Sequence, residues 1–253
     1  MIKVLELFSG TGSVGKCCKK LDWDVVSVDL LLPADHEVDI LEFDYKQYPK
    51  NEFDIVWASP PCVYYSSLQN CWLGRKKKDG IVVTRDILEQ RRRESDKLIE
   101  KTLEIIDYFQ PELWFMENPA TGCLKKRDVV KGLNFYDVSY CMYSDWGYEK
   151  KTRIWTNKKD WDNLICDRSG KCGNMIETKK HEKGFGSYTE DQETIKPIYM
   201  SKKHKLNVSK DVHTVGEKKG KHKKDVSIDY GSGTNRLDRY RVPEDLIFSL
   251  FLD

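Results

Sequence analysis

The chain is predicted to be an α/β protein, a mostly parallel sheet covered by helices. Three observations predict it. Apolar runs of strand type alternate with helical periodicity across residues 1–157. A glycine-bearing turn, Phe8-Ser9-Gly10-Thr11-Gly12, follows the first such run and opens a helix. Two rigid turns, Ser59-Pro60-Pro61-Cys62 and Glu117-Asn118-Pro119, each leave a further apolar run.

The elements follow in order. Ile2–Phe8 is a buried-type strand, Val14–Leu21 a short helix, and Trp23–Asp29 the next strand, ending in an acid. His36–Ile40 and Phe53–Ser59 are the third and fourth strands. Residues 63–83 have no clean period and contain Gly74 and Gly80, so a long loop is expected. Asp86–Phe109 is the clearest helix. Leu88, Leu98, Ile99, Ile105, Ile106 and Phe109 fall on one stripe, and Pro111 ends it. Leu113–Glu117, Tyr136–Tyr143 and Thr152–Thr156 complete the strands. Beyond Lys158 the apolar pattern thins. It returns at Arg241–Phe251, where Pro243 suits a first helical turn with two acids behind it. The apolar positions of that helix predict packing onto the core. The expected divisions are therefore 1–157, 158–235 and 236–253.

With 253 residues, one main domain plus a smaller part fits better than three. No apolar run approaches the roughly 18 residues of a membrane span. The N-terminus leads straight into a strand without a signal-peptide pattern, and the eight cysteines have no regular spacing. A soluble intracellular protein with reduced thiols is the expectation. The net charge of +2 conceals an asymmetry: −2 over 1–157, +6 over 158–225 and −2 over the rest. The middle segment suits a polyanion, and a solvated lysine-rich insertion explains it equally well.

At the first turn, Gly10 and Gly12 permit a tight bend and close approach of a ligand to the backbone. Asp29 ends the next strand, where a carboxylate accepts both hydroxyls of a ribose. The missing third glycine argues against a dinucleotide and favours S-adenosyl-L-methionine. Cys62 and Glu117 both stand at strand ends. A thiol and a carboxylic acid are thus expected at one edge of the sheet.

Together, Glu6-Leu7-Phe8-Ser9-Gly10-Thr11-Gly12-Ser13, the Pro-Pro-Cys run and Glu117-Asn118-Pro119 resemble the cytosine carbon-5 methyltransferase family. The resemblance covers 1–157 closely and the C-terminal helix loosely. It implies a Rossmann-like methyltransferase sheet with a small basic target-recognition insertion. It also implies methyl transfer from S-adenosyl-L-methionine to carbon 5 of cytosine in double-stranded DNA. Cys62 would add to carbon 6 of a flipped-out base, Glu117 would protonate ring nitrogen 3, and Asn118 would steady the loop. Arg153 would donate to the carbonyl at position 2 and to the neighbouring carboxylate. The cofactor contacts implied are Phe8 on the adenine, Ser9, Gly10, Thr11, Gly12, Asp29, Asp39, Ile40 and Pro60. The segment Gly74–Gly80 would be a lid over the duplex.

The chain departs from the family pattern in places. Val63 replaces a glutamine that tends to face DNA, and Pro119 stands where many members have valine. Of Gln-x-Arg-x-Arg only Arg153 matches strictly, with Lys151 in place of the first arginine. The Gly-Asn pair before the last helix is absent. Within the insertion, Tyr188, Tyr199, His204 and His213 are candidate base or phosphate contacts. Cys166, Cys172 and His181 raise a structural zinc, with His204 or His222 as a fourth ligand. Two ordinary thiols and no metal is the expectation. RNA as substrate, or a nucleic-acid-binding relative without activity, are the alternatives. Restriction-modification is one of several roles open to such an enzyme.

Overall fold

The central strand of the sheet, β4 (Ile55–Ala58), is buried along its whole length because its neighbours are parallel and both faces are covered. A computed structural model describes residues 1–76, 80–177, 180–181, 187–188, 196–197 and 240–252. Around β4 stand β1 (Lys3–Leu7), β2 (Asp24–Asp29), β3 (His36–Glu37), β5 (Leu113–Pro119), β6 (Phe135–Ser139) and β7 (Lys151–Thr156). The strand order is β3-β2-β1-β4-β5-β7-β6. Strands β1 to β5 pair in parallel, whereas β7 runs antiparallel to β5. This is a Rossmann-like order with one antiparallel strand.

Alternation along the strands sorts the core into two faces. Leu5, Leu7, Val56, Ala58 and Met116 join the cluster that includes Ile99, Ile105, Ile106 and Phe109 of helix α2 (Arg85–Phe109). Thr84 caps α2, its hydroxyl accepting from the Ile87 amide, and Gln110 ends it at φ +47°. The alternate residues Trp57 and Phe115 pack on Phe251 of helix α3 (Glu244–Leu252), at ring-centroid distances of 6.1 and 5.7 Å. Trp23 stacks on the same ring at 5.8 Å. The end of the chain thus closes one face of the sheet. Helix α1 (Ser13–Lys20) buries Val14, Cys17 and Cys18.

Some expectations differ in extent. The third strand stops at Glu37, because Asp39 folds back: its side chain accepts from the Leu41 amide and its carbonyl from Glu42. The strand expected over 136–143 ends at Ser139 and gives way to a 3-10 turn, Tyr140–Met142. The loop 63–83 contains 3-10 turns at Val63–Tyr65 and Ser67–Trp72 and a narrow hairpin base. There Gly74 and Val83 exchange backbone bonds with Val83 and Arg75.

The chain divides into two compact units. One holds Met1–Val138, Lys151–Leu164 and Leu246–Asp253; the other holds Ser139–Lys150 and Ile165–Asp245. Among the described residues no helix is long and apolar enough to cross a membrane. Phe109 is fully buried and meets Phe53 edge-on at 4.9 Å. Phe109→Ala is expected to cost about 3–5 kcal/mol, read as a lower midpoint in urea unfolding.

Candidate active site

The turn after β1 is built by backbone geometry that few side chains tolerate. Phe8 stands at φ +56°, Gly10 at +54° and Gly12 at +65°. A left-handed phenylalanine costs about 1–2 kcal/mol, so the turn must be held from outside. Asp29 holds it: its Oδ2 accepts the Gly10 amide at 2.8 Å, and its Oδ1 accepts Leu31 and Leu32 at 2.8 and 2.9 Å. The Ser9 amide donates to the Val28 carbonyl at 3.1 Å. The sequence placed both parts correctly but not their bond to each other. Among the described residues nothing lies within 4 Å of the position a Gly12 Cβ would take, which leaves space above the loop. An open glycine turn beside a strand-end carboxylate that keeps one acceptor site on Oδ2 fits an adenosyl ligand. Ile40, expected at the adenine edge, buries its side chain in the core, which leaves its backbone for contact; Asp39 is half-buried beside it.

Beneath this turn lies a residue the sequence reading passed over. Glu6, on β1, is 3% exposed, and its carboxylate accepts the amides of Val14 and Gly15 at 3.2 and 3.0 Å. It caps α1 in place of Gly12, whose N-cap position offers no side chain. The signal was an acid in an otherwise apolar strand. Burial pushes its pKa up to about 7, against the two backbone donors that favour the anion.

The Cys62 turn leaves β4 and is tied down on several sides. The Ser59 amide donates to the Leu7 carbonyl at 3.1 Å, and Pro60 is buried. Asn118 Nδ2 donates to the Pro60 carbonyl at 2.9 Å, joining the two strand-end motifs directly. Cys62 is half-buried, and its carbonyl accepts the amides of Tyr65 and Ser66. Tyr65, 1% exposed, gives its hydroxyl to Asp96 of α2 at 2.9 Å. Asp96 in turn holds Arg127 through Nε and Nη2, at 3.0 and 2.6 Å to Oδ2. The Tyr65 carbonyl accepts the Cys123 amide at 2.8 Å, and a Cβ on Gly122 would stand 3.4 Å from that same oxygen. The turn after Pro119 therefore passes close against the Cys62 turn. Exposed Val63 and Tyr64 lie on the outer side.

Glu117 is 6% exposed on β5, and Asn118 is fully buried. Asn118 Oδ1 and Thr152 Oγ1 have no partner among the described residues. Buried orphans of this kind mark places where water or a ligand supplies the missing bond. Arg153 lies opposite Asn118 in the β5–β7 register, and Glu117 lies opposite Ile154. The pleat sends Arg153 to the other face from Glu117. Its guanidinium is held bidentate by Asp137, at 2.7 and 2.8 Å, and stands 3.5 Å over the Phe135 ring. Its carboxylate partner here is thus Asp137, which sequence spacing could not reveal.

Lys77, Lys78 and Asp79 of the expected lid lie outside the described residues, as do Tyr199, His204, His213 and His222. Cys166 and Cys172 do come together, and Cys141 joins them.

A strand order of this type, with a glycine turn and an acid at the end of the second strand, defines an S-adenosylmethionine-dependent methyltransferase fold. No protein-family model matches the chain. It is 41% identical over 176 residues to a curated Frog virus 3 (isolate Goorha) protein named "Probable DNA (cytosine-5)-methyltransferase". That alignment covers 69% of this chain and 79% of the relative. The chain belongs to the DNA (cytosine-5)-methyltransferase family. Among solved structures it is similar to the Entamoeba histolytica methyltransferase EhMeth (TM-score 0.43, 13% identity, 67% of this chain and 58% of that one). It is also similar to S. pombe Dnmt2 (TM-score 0.37, 15% identity, 64% and 51%). The chain spans little more than half the length of these two solved proteins.

Glu6 gives a pH dependence. The folded chain keeps its proton up to about pH 7, whereas the unfolded chain releases it near 4.5. Stability from this group is therefore complete below about 4.5 and is lost as pH rises to about 7. Urea titrations across that window should show a decline of up to about 3 kcal/mol from this source. In Glu6→Gln that component of the slope should vanish.

Proposed function

We propose that the protein transfers a methyl group from S-adenosyl-L-methionine to carbon 5 of cytosine in double-stranded DNA. The observation that carries this is the direct bond between the two motifs. Asn118 Nδ2 on the Pro60 carbonyl fixes the Cys62 turn against the end of the strand that bears Glu117. The base needs a thiolate on carbon 6 and a proton on nitrogen 3 before carbon 5 becomes nucleophilic. Cys62 supplies the thiolate, from a backbone whose mobility two prolines restrict. Glu117, buried on β5 shortly before that strand ends at Pro119, supplies the proton. The cofactor, when bound, supplies an electrophilic methyl group. Phe8, Ser9, Gly10, Thr11, Gly12, Asp29, Asp39, Ile40 and Pro60 are the residues proposed to hold it. Loss of the carbon 5 proton and departure of Cys62 then restore the aromatic ring.

Arg153 is proposed to donate to the base carbonyl. Because Asp137 holds its guanidinium, that role requires Arg153 to exchange or share this partner. The domain assignment follows the same reading: 1–157 as the catalytic part, 158–235 as the segment that reads the target, and 236–253 as the closing helix.

The test is transfer of labelled methyl groups to unmethylated DNA and, in parallel, to total RNA. Label recovered as 5-methylcytosine from DNA is expected, falling to background in Cys62→Ala. Glu117→Gln should lower the rate about 10²–10⁴-fold while cofactor binding persists. Label in RNA alone would reassign the substrate. Label undiminished in Cys62→Ala would overturn the mechanism.

A further inference from the structure

Three thiols that lie apart in the sequence meet in one small cluster. Cys141 sits in the 3-10 turn after β6, and Cys166 and Cys172 follow well after β7, all within the second compact unit. Their Sγ atoms lie within 4.8 Å of one another. In a tetrahedral zinc site with Zn–S near 2.3 Å, the sulfurs stand about 3.8 Å apart. Small side-chain rotations close that gap.

The surrounding structure is built for this geometry. Asn174, 5% exposed, donates through Nδ2 to the carbonyls of Cys141, Ser144 and Cys172 at 2.8–2.9 Å. Its Oδ1 accepts the Gly147 amide at 2.7 Å. One buried amide thus clamps the two stretches of chain that carry the sulfurs. The Arg168 amide donates to Cys166 Sγ at 3.4 Å, with Arg168 at φ +59°. An amide aimed at sulfur stabilises a thiolate and orients it. Gly170 and Gly173 take φ +101° and +70°, which lets the chain turn tightly between Cys166 and Cys172 and just beyond. Thiolates clustered this closely need a cation to offset their charge. Soft thiolates select zinc over magnesium or calcium.

We propose that Cys141, Cys166 and Cys172 bind a structural zinc ion, with one further donor completing the tetrahedron. The ion would join the turn after β6 to the stretch that carries Cys166 and Cys172. The proposal is independent of the methyl-transfer reading, since a zinc knuckle serves a binding relative equally well.

The test is metal analysis of the full chain purified without chelator under reducing conditions. One zinc per chain is expected. Cobalt substitution should give thiolate-to-cobalt charge transfer and the visible bands of a tetrahedral site. Cys141→Ser, Cys166→Ser and Cys172→Ser should each lose the metal, whereas Cys71→Ser, at an exposed thiol, should keep it. Should the serine variants fail to fold, chelation of the wild-type chain provides the readout: zinc release with a lower Tm supports the site. No zinc and no cobalt bands would overturn the proposal. So would zinc retained equally in the serine variants, or a disulfide within the cluster in place of metal.

Discussion

The parallel register of β1, β4 and β5 is the constraint on which the rest of the site depends. Leu7 is level with Ala58, and Ala58 with Met116. β1 and β4 therefore release their loops at the same height along the sheet, and β5 runs on past that level through Pro119. The glycine turn, the Cys62 turn and the Glu117 motif become neighbours for that reason alone. A slip of one residue between β4 and β5 would exchange the two faces. Met116 would leave the α2 cluster, Phe115 would leave Phe251, and Glu117 would change sides. Register is thus enforced by the two aromatic-rich faces, well away from the chemistry. Large rings do most of this: Trp57, Phe115 and Phe251 on one side, Phe53 and Phe109 on the other.

Polar groups at the carboxyl edge are placed with the same economy. The two prolines before Cys62 offer no amide, so the turn cannot be secured by its own backbone there. Asn118, Tyr65 and the Cys123 amide secure it from neighbouring elements. Asp96 links this turn to α2 and to Arg127, with Glu89 accepting from the same guanidinium at 2.6 Å. The pair raises the Arg127 pKa, and Arg127 lowers that of Glu89, as expected of charges that are mutually satisfied. Glu6 is different: it sits in an apolar strand with only amide donors, and its proton is the adjustable part.

The two ends of the chain handle charge differently. The sheet is near neutral and dense with apolar contacts, while excess positive charge lies in 158–225. The Asn174 clamp and the Cys141, Cys166 and Cys172 cluster bring the turn after β6 together with the chain at 166–174 by polar and sulfur contacts.

By itself the sequence determined the order of the elements and the strand-end location of Cys62 and the glycine turn; the strand expected to end at Glu117 instead runs to Pro119, because β7 pairs with it there. Periodicity and proline are local properties, and both survive in the folded chain: α2 runs over Arg85–Phe109 where its stripe places it. The sequence also marked Asp29 beside the glycines, because strand-end acids stand out in an apolar run. Only the tertiary structure decided which strands are neighbours and which side chains meet. The insertion of antiparallel β7 between β5 and β6 gives Arg153 to Asp137 and puts it across the pleat from Glu117. Glu6 reaches the start of α1 through the turn of the chain, and Cys141 joins Cys166 and Cys172 through the Asn174 clamp. These contacts depend on strand order and long-range closure, and no local pattern of residue types encodes either.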